Sequence, residues 1–207
     1  MIDFYSWATS NGRKVAIMLE ETGLEYQVHP VDLSRRDQKQ PEYLAMNPNG
    51  RIPTIVDRDG PDGKPITIFE SGAILWYLAK KADMFLPGDA RERTLVHQWL
   101  MFQMSHVGPT AMEVHHIKRA AGDGNLPPEF AKQHAELERV YGVLEQQLFW
   151  NAFLTGSYSV ADIATYPWIY RHDLQEIELH RFPSVERWFK AVGERPAVQR
   201  GLNIPPP

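Results

Sequence analysis

The stretch "TIFESGAILWYL" (residues 67–78) joins two different patterns. A β-branched run reaches Phe69 and predicts a strand, and the apolar spacing that begins at Ala73 predicts a helix. Two polar residues, Glu70 and Ser71, lie at the junction, although a helix start needs only one capping side chain. A strand that leads directly into a helix is typical of a layered α/β unit.

The residues before this junction continue the alternation of strand and helix patterns. The segment "TIVDRDGPDGKPITIF" (54–69) has two short apolar runs around a turn rich in Gly, Asp and Pro, which indicates a hairpin. Together the patterns predict the order βαβαββα over residues 1–83, a mixed sheet flanked by helices. The predicted elements are strands at 2–6 and 26–33, helices at 10–23 and 41–48, the hairpin at 54–69, and a helix at 71–82.

The rest of the chain has a different pattern of apolar and polar residues. The segment "MFLPG" (84–88) carries Pro and Gly, and we interpret it as a linker. Beyond it there is no convincing strand pattern, and apolar residues at helical spacing predict an all-helical domain over 89–207. The predicted helices cover 90–107, with a break or kink at Gly108-Pro109, then 128–149, 159–172 and 184–196, and the tail 201–207 is expected to be loose.

Composition narrows the class of protein. The 207 residues are 43% hydrophobic and 23% charged, which is typical of a globular protein. The net charge is −4 with acids and bases interleaved, so no nucleic-acid partner is predicted. The start "MIDFYSW" lacks a basic region and no window approaches 18 apolar residues, so we expect no signal peptide, no membrane span and a soluble cytoplasmic protein.

Residues that could bind a metal or attack a substrate are few. The sequence has no cysteine, which excludes disulfide bonds, thiolate metal sites and a cysteine nucleophile. His115 and His116 are adjacent and His97 and His106 are nine apart, so no helical metal-ligand spacing occurs and no metal is predicted. His106 remains a candidate for the lining of a substrate cleft.

The pair Glu70-Ser71 suits an amino-acid zwitterion. A helix N-terminus offers free N–H groups and the positive end of the helix dipole, so it can hold a carboxylate. Ser71 would add a hydroxyl donor, and Glu70 could accept the ammonium group of the same ligand. The alternative is an ordinary N-cap beside a surface glutamate.

The segment "GRIPTIV" (50–56) places Pro53 at the start of a predicted strand. A cis Ile52–Pro53 bond would turn the main chain of Ile52 outward, where an extended peptide ligand could pair with it as an added strand. The alternative is a plain trans proline in a turn.

The segment "WATSNGRK" (7–14) leads from the first strand into the first helix. Thr9, Ser10 and Asn11 bring several small donors to that helix start, a place that stabilises an anion such as a thiolate. The alternative is that Ser10 or Asn11 simply caps the helix, which we expect to hold for one of them. In "GSYSVADIA" (156–164), Ser159 and Asp162 predict a capping box with a purely structural role.

In their order and spacing these motifs resemble those of the cytosolic glutathione transferases, over nearly the whole chain. The resemblance implies a thioredoxin-like domain that binds glutathione, a helical domain that walls the cosubstrate site, and a homodimer. It implies that Ser71 and its N–H hold the γ-glutamyl carboxylate, that Glu70 takes the amino group, and that Ile52 pairs with the cysteinyl part while Pro53 is cis.

Within that family the segments "YSWATSNGRKVAIMLEE" and "VDLSRRDQKQPEYLAMNPNGRIPTIVD" look most like the bacterial nu class. The resemblance implies reduction of disulfides with glutathione, and a site that holds two glutathione molecules or one glutathione disulfide. It further implies that Thr9 and Asn11 face the glutathione sulfurs and that Gln38 contacts the glycyl carboxylate. Lys132 is the nearest match to a basic residue that lies beside the second glutathione in this class. Trp7 stands where the class usually has a smaller residue.

The implied nucleophile is the thiolate of glutathione, since the chain has no thiol. A free thiol has a pKa of about 8.5, and lowering it to about 6.5 requires less than about 3 kcal/mol. Thr9 and Asn11 are the expected donors, and Tyr5 is a rival that ranks lower because it falls within the strand. Two other functions stay open: conjugation of glutathione to an electrophile in a pocket lined by Phe102, Met104 and His106, and glutathione binding without turnover.

Overall fold

The computed structural model describes residues 1–122 and 124–205. The chain forms two compact units, one made of residues 1–86 together with 194–205 and the other of residues 87–193. The predicted order βαβαββα is confirmed in the first unit. The domain bounds 1–83 and 89–207 with a linker at 84–88 stay a prediction, and the compact units place the segment 194–205 with the first of them.

A four-stranded mixed sheet forms the centre of the first unit, with the strand order β2-β1-β3-β4. Strand β1 pairs in parallel with β2 and antiparallel with β3, and β3 pairs antiparallel with β4. The strands are β1 (Ile2–Ser6), β2 (Tyr26–Pro30), β3 (Thr54–Asp57) and β4 (Ile66–Phe69), and the helices are α1 (Ser10–Thr22), α2 (Pro41–Met46) and α3 (Ser71–Ala82).

Helix α1 packs against α3 within this unit. The helix ends at Gly23, whose φ of 66° is the left-handed conformation that glycine adopts at helix ends without a Cβ penalty. Together with the strands the two helices form an apolar core, whose fully buried members include Ile2, Phe4, Val15, Ile17, Met18, Leu19, Ile55, Ile74, Leu75 and Leu78.

The C-terminal segment is ordered against α1, so the expectation of a loose tail is wrong for residues 201–205; residues 206 and 207 lie outside the described part of the chain. A short helix α9 (Pro196–Gly201) packs on α1. Gly201 lies so close that a Cβ built on it would come within 2.6 Å of the Cα of Ile17. The Nε of Arg13 donates to the carbonyl of Leu202 at 3.1 Å. The tail pattern alone does not reveal that α1 offers a second face for packing.

The second unit is helical, with α4 (Ala90–Phe102), α5 (Gly108–Ala121), α6 (Pro128–Trp150), α7 (Val160–Ile169) and α8 (Pro183–Gly193). A π-helical turn at Gln103–Val107 joins α4 to α5, and α5 then begins at Gly108. Pro109 lies in the first turn of α5, where its missing N–H is tolerated. None of the described helices is long and apolar enough to span a membrane.

The predicted capping box at the start of α7 is confirmed and is structural. Asp162 is fully buried, and its carboxylate accepts hydrogen bonds from the Ser159 amide at 3.0 Å and the Leu154 amide at 3.0 Å. It also accepts from the indole Nε1 of Trp188 on α8 at 2.8 Å. One carboxylate therefore fixes the start of α7, the preceding loop and α8 together.

Candidate functional site

The strand register brings three candidate segments to one end of the sheet. Tyr5 near the end of β1 lies opposite Thr54 at the start of β3, and Thr54 lies opposite Phe69 at the end of β4. The segments that follow β1, precede β3 and follow β4 therefore leave the sheet at the same end. These segments carry Thr9 and Asn11, Ile52 and Pro53, and Glu70 and Ser71.

Thr9 is the N-cap of α1, so the expectation that Ser10 or Asn11 caps this helix is wrong. Its Oγ1 accepts a hydrogen bond from the amide of Gly12 at 3.2 Å. A hydroxyl has one proton and two acceptor lone pairs, so Thr9 can accept from Gly12 and still donate to a ligand. Ser10 is buried, and its hydroxyl has no hydrogen-bond partner in the described structure. Asn11 is half-buried in the first turn of α1.

Gly12 allows the end of β1 to lie directly against the first turn of α1. A Cβ at this position would be 2.3 Å from the carbonyl oxygen of Trp7 and 2.4 Å from the Oγ of Ser6. Any side chain here would push the loop away from the helix. Gly12 therefore sets the position of the loop that carries Thr9.

Tyr5, the rival donor, faces a different environment. Its ring stacks on the ring of His29 with the centroids 4.6 Å apart. Burial, with a smaller contribution from Asp3, raises the pKa of the Tyr5 phenol above its ordinary value. A phenol with a raised pKa is a weaker donor to an anion, which agrees with ranking Tyr5 below Thr9.

The Ile52–Pro53 bond is cis, and Pro53 is buried directly before β3. Among the described residues the main-chain N–H and C=O of Ile52 have no hydrogen-bond partner. The neighbouring carbonyl of Arg51 is engaged within the unit. It accepts hydrogen bonds from the Tyr43 hydroxyl at 2.8 Å and from the side-chain amide of Asn47 at 2.6 Å. The loop is thereby fixed while the polar groups of Ile52 remain available for an extended ligand.

Glu70 and Ser71 lie at the start of α3, and the Glu70 side chain does not cap the helix. Glu70 occupies the N-cap position, but its side chain makes no capping hydrogen bond. Its φ of 69° and ψ of 116° are unfavourable for a residue with a side chain, and such strain is typical of functional sites. The exposed carboxylate accepts from the Asn49 amide at 3.5 Å. The second polar group at this helix start is therefore not a cap.

Lys14 on α1 is a residue that the sequence reasoning missed. It is 1% exposed, and its Nζ donates to the Oγ of Ser71 at 3.4 Å. Burial lowers the pKa of Lys14 to about 7, against the opposing field of Glu70. A signal was present, because Lys14 precedes Met18 by four residues and so belongs to the buried face of α1.

Gln38 lies in a short helical turn, Asp37–Lys39, after β2. Its Oε1 is buried and has no hydrogen-bond partner in the described part of the chain. The Nζ of Lys39 donates to the carbonyl of Asn49 at 3.4 Å, so this turn lies beside the loop that precedes Ile52. Gln38 therefore belongs to the same end of the first unit as the other candidates.

Lys132 and His106 belong to the second unit. Lys132 is exposed on α6, and His106 is exposed in the π-helical turn with its ring stacked on Phe102 at 5.1 Å. The pKa of Glu136, one turn beyond Lys132, is lowered chiefly by Arg139 and to a smaller extent by His106. The π-helical turn and this part of α6 are therefore neighbours. No group of three or more His, Asp and Glu side chains in residues 1–122 and 124–205 is arranged to hold a metal ion.

The sequence matches two family models over most of its length. Residues 9–81 match the glutathione S-transferase N-terminal domain, and residues 103–196 match the glutathione S-transferase C-terminal domain. Among curated relatives, the chain is 41% identical to the disulfide-bond oxidoreductase YfcG of Escherichia coli, covering 98% of this chain and 94% of that protein. It is 36% identical to the disulfide-bond oxidoreductase YghU of the same organism, covering 98% and 74%.

Solved structures with the same fold contain glutathione. A glutathione transferase of Burkholderia graminis, crystallised with two glutathione molecules per subunit, is 43% identical with a TM-score of 0.93, covering 99% of this chain and 88% of that one. A glutathione transferase of Pseudomonas putida, crystallised with one glutathione disulfide per subunit, is 40% identical with a TM-score of 0.92, covering 99% and 91%.

Proposed function

The chain belongs to the glutathione S-transferase family, and on that premise we propose that it reduces disulfide bonds with glutathione as the source of the thiol. The observation that carries the proposal is the convergence of Thr9, Ile52 and the Glu70-Ser71 pair at one end of the sheet. A chain without cysteine has no thiol of its own to attack a disulfide, so the attacking thiol must be bound from solution. The two Escherichia coli relatives named as disulfide-bond oxidoreductases support the same chemistry.

Glutathione binds through both of its ends and its middle. Ser71 and the N-terminus of α3 hold the γ-glutamyl carboxylate, and the Glu70 carboxylate accepts the γ-glutamyl ammonium. The free N–H and C=O of Ile52 pair with the cysteinyl part as an added strand would. Gln38 contacts the glycyl carboxylate. These contacts position the sulfur of glutathione beside the loop that carries Thr9 and Asn11.

Thr9, Asn11 and the first turn of α1 favour the thiolate form of that sulfur. The hydroxyl proton of Thr9 is available because the hydrogen bond with Gly12 uses a lone pair of its oxygen. Donors aimed at a developing anion stabilise it without reorganising during the reaction. More thiolate at neutral pH means a faster attack on the disulfide.

The reaction takes place in two exchanges. The glutathione thiolate attacks one sulfur of the substrate disulfide, forms a mixed disulfide, and expels the other sulfur as a thiolate that takes a proton. A second glutathione thiolate attacks the glutathione sulfur of the mixed disulfide and expels the second substrate thiol. In sum, two glutathione molecules and one disulfide give one glutathione disulfide and two thiols.

The proposal extends to the surroundings of the site. The second glutathione occupies the same site, with Lys132 near its carboxylates and His106 near the disulfide substrate. The Burkholderia graminis structure, with two glutathione molecules per subunit, supports this stoichiometry for a relative. We further propose that the protein acts in the cytoplasm as a homodimer.

The test is a comparison of two activities on one sample. We expect glutathione-dependent reduction of a small dialkyl disulfide, followed by coupled NADPH oxidation, to be fast, and conjugation of an aryl halide to be slow. Fast conjugation with negligible disulfide reduction would replace the proposal by conventional transferase chemistry. Tight glutathione binding with neither activity would identify a binding protein.

A further inference from the structure

Ser105 and His106 lie side by side on the π-helical turn that joins α4 to α5, and both are exposed. Turns of this kind are rare and occur frequently at functional sites. Neither side chain contributes to the buried core, yet both are held in place by specific contacts.

The hydroxyl of Ser105 has two partners. Its Oγ lies 2.7 Å from the carbonyl oxygen of Met101, one turn earlier, and 2.7 Å from the Nδ1 of His106. A carbonyl oxygen can only accept, so the single hydroxyl proton of Ser105 goes to Met101. The Oγ must then accept from His106, and the proton of a neutral His106 is therefore on Nδ1.

The ring of His106 is held in orientation as well as in tautomer. It stacks on the ring of Phe102, with the centroids 5.1 Å apart and the planes inclined by 17°. Phe102 in turn meets the ring of Trp99 edge to face at 5.3 Å. The Nε2 of His106 has no hydrogen-bond partner among the residues that the structure describes, so the neutral ring presents a lone pair there.

This arrangement suits a group that exchanges protons. Ser105 accepts from the Nδ1–H of His106 whether Nε2 is bare or protonated, because both ring nitrogens are donors in the imidazolium. A proton can thus arrive at Nε2 and leave it without a rotation of the ring or a change of its hydrogen bond. Histidine is the side chain that enzymes use most often as a general acid and base.

We propose that His106 is a catalytic residue of the disulfide reduction, which carries a proton from the thiol of glutathione to the thiol that leaves, and that Ser105 is its positioning residue. The inference rests on the proposed function, which assigns His106 to the disulfide substrate. It adds the source of the proton that the expelled thiolate takes up.

Each exchange uses the Nε2 of His106 twice. Nε2 first takes the proton of the glutathione thiol, which becomes the thiolate that Thr9 and Asn11 stabilise. The thiolate forms a new S–S bond with one sulfur of the disulfide, the old S–S bond breaks, and the imidazolium protonates the sulfur that leaves. Neutral His106 is thereby restored, and the second glutathione repeats these steps on the mixed disulfide.

The chemistry of the leaving thiol decides how much this proton matters. The glutathione thiol can equally lose its proton to the buffer before the disulfide binds, so only the second proton transfer is expected to limit the rate. An alkyl thiolate is strongly basic and leaves slowly unless it is protonated, whereas a thiolate of low pKa leaves fast without a proton. His106 should therefore accelerate the reduction of alkyl disulfides selectively.

The experiment measures kcat/KM for a dialkyl disulfide, bis(hydroxyethyl) disulfide, and for dithiodipyridine, whose leaving group needs no proton on sulfur. Wild type is compared with His106→Gln and with His180→Gln, which removes another exposed histidine of the same unit. For His106→Gln we expect a loss of about a hundredfold on the dialkyl disulfide. The loss on dithiodipyridine should be less than about twofold, and His180→Gln should match wild type on both substrates.

Ser105 is tested by a property that a merely structural residue would not change. NMR spectra of the imidazole nitrogens should show the proton of neutral His106 on Nδ1 in wild type and in Ser105→Thr, which keeps the hydroxyl. Ser105→Ala should lose this fixed tautomer together with part of the activity on the dialkyl disulfide. An unchanged tautomer in Ser105→Ala would overturn the role of Ser105.

Two results would overturn the role of His106 while the proposed function stands. One is full activity of His106→Gln on the dialkyl disulfide. The other is an equal loss on both disulfides, which would indicate a binding contact instead of a proton carrier. Failure of wild type to reduce either disulfide would overturn the proposed function and this inference with it.

Discussion

In the proposed mechanism the hydroxyl of Thr9 serves both the fold and the chemistry. It accepts the Gly12 amide as the N-cap of α1, and in the proposed mechanism its proton is donated to the sulfur of glutathione. Removing the hydroxyl therefore affects stability and reactivity together, and the two effects must be measured separately.

We predict that Thr9→Ala lowers disulfide reduction at neutral pH about ten- to hundredfold, because one donor to the thiolate is lost. The dissociation constant of glutathione should change less than about threefold, and the free energy of unfolding should fall by about 1 kcal/mol with the lost cap. The pH profile of kcat/KM should move to higher pH, which a loss of stability alone cannot produce.

The matched control is Asp89→Ala, which removes the N-cap of α4 in the second unit. It should lower the free energy of unfolding by a similar amount and leave the pH profile of kcat/KM unchanged. Equal losses of affinity and turnover in Thr9→Ala would mean that Thr9 is only a binding contact.

Glu70 holds a backbone conformation that costs free energy. Its φ of 69° suits glycine, whereas its carboxylate suits the ammonium of the ligand. The strain therefore persists at a position where the proposed function requires a carboxylate.

Glu70→Gly should be up to about 1 kcal/mol more stable than wild type, since relief of about 1–2 kcal/mol exceeds the added chain entropy of about 0.5–1 kcal/mol. Its affinity for glutathione should fall about tenfold or more with the lost charged hydrogen bond. Glu70→Gln keeps the strain and loses the charge, so it should lose affinity without gaining stability. Chemical denaturation and calorimetry of the two variants check this, and a Gly variant less stable than the Gln variant would disprove the strain.

At the scale of the element, the start of α7 depends on one buried carboxylate. Asp162 accepts hydrogen bonds from two main-chain amides, the Ser159 hydroxyl and the Trp188 indole. An asparagine side chain at this position would have a single acceptor oxygen. Its NH2 group would face the amide, hydroxyl and indole donors that surround Asp162, and donors cannot accept from one another.

Asp162→Asn should therefore lower the free energy of unfolding by about 3 kcal/mol or more, since buried donors lose their acceptor. Asp89→Asn, at an exposed N-cap with one amide partner, should cost less than about 1 kcal/mol. Urea denaturation of the two variants gives the comparison. Similar costs at the two caps would mean that the network around Asp162 adds nothing to an ordinary cap.

The elements that sequence patterns predicted correctly are those with local causes. The hairpin follows from its turn residues, and the capping box follows from Ser159 and Asp162 at the right spacing. The cap of α1 was misplaced because Thr9, Ser10 and Asn11 all cap helices well, and only the contact with Gly12 distinguishes them. The contact between Lys14 and Ser71 joins residues 57 apart, which no local pattern reveals.

At the scale of the whole molecule, the last described residues complete the first unit. Helix α9 packs on α1, and Arg195 pairs with Glu21 through two hydrogen bonds of 2.6 and 2.8 Å. The tail sequence alone does not indicate that it packs on α1, because the packing depends on a face of a helix that lies far away along the chain.

The same substitution at two glycines should have opposite effects. Gly201→Ala would place a Cβ 2.6 Å from the main chain of α1 and should destabilise by about 2 kcal/mol, because the backbone at Ile17 cannot give way. Gly142→Ala lies in the middle of α6, where the new Cβ meets no atom within 4 Å beyond the adjacent residues and the helix's own backbone, and it should stabilise the fold by about 1 kcal/mol. Thermal unfolding checks the pair, and a neutral Gly201→Ala would mean that α9 does not rest closely on α1.

The return of the C-terminal segment to α1 also sets an order of events during synthesis. Residues 1–86, which carry Thr9, Ile52 and Ser71, leave the ribosome before the second unit, yet they lack the helix that covers α1 until residues 194–205 have emerged. A nascent chain stalled in the second unit would hold the site residues without the segment that completes their unit. Most of this unit is thus translated before the second unit, but the unit is completed only after the second unit has been made.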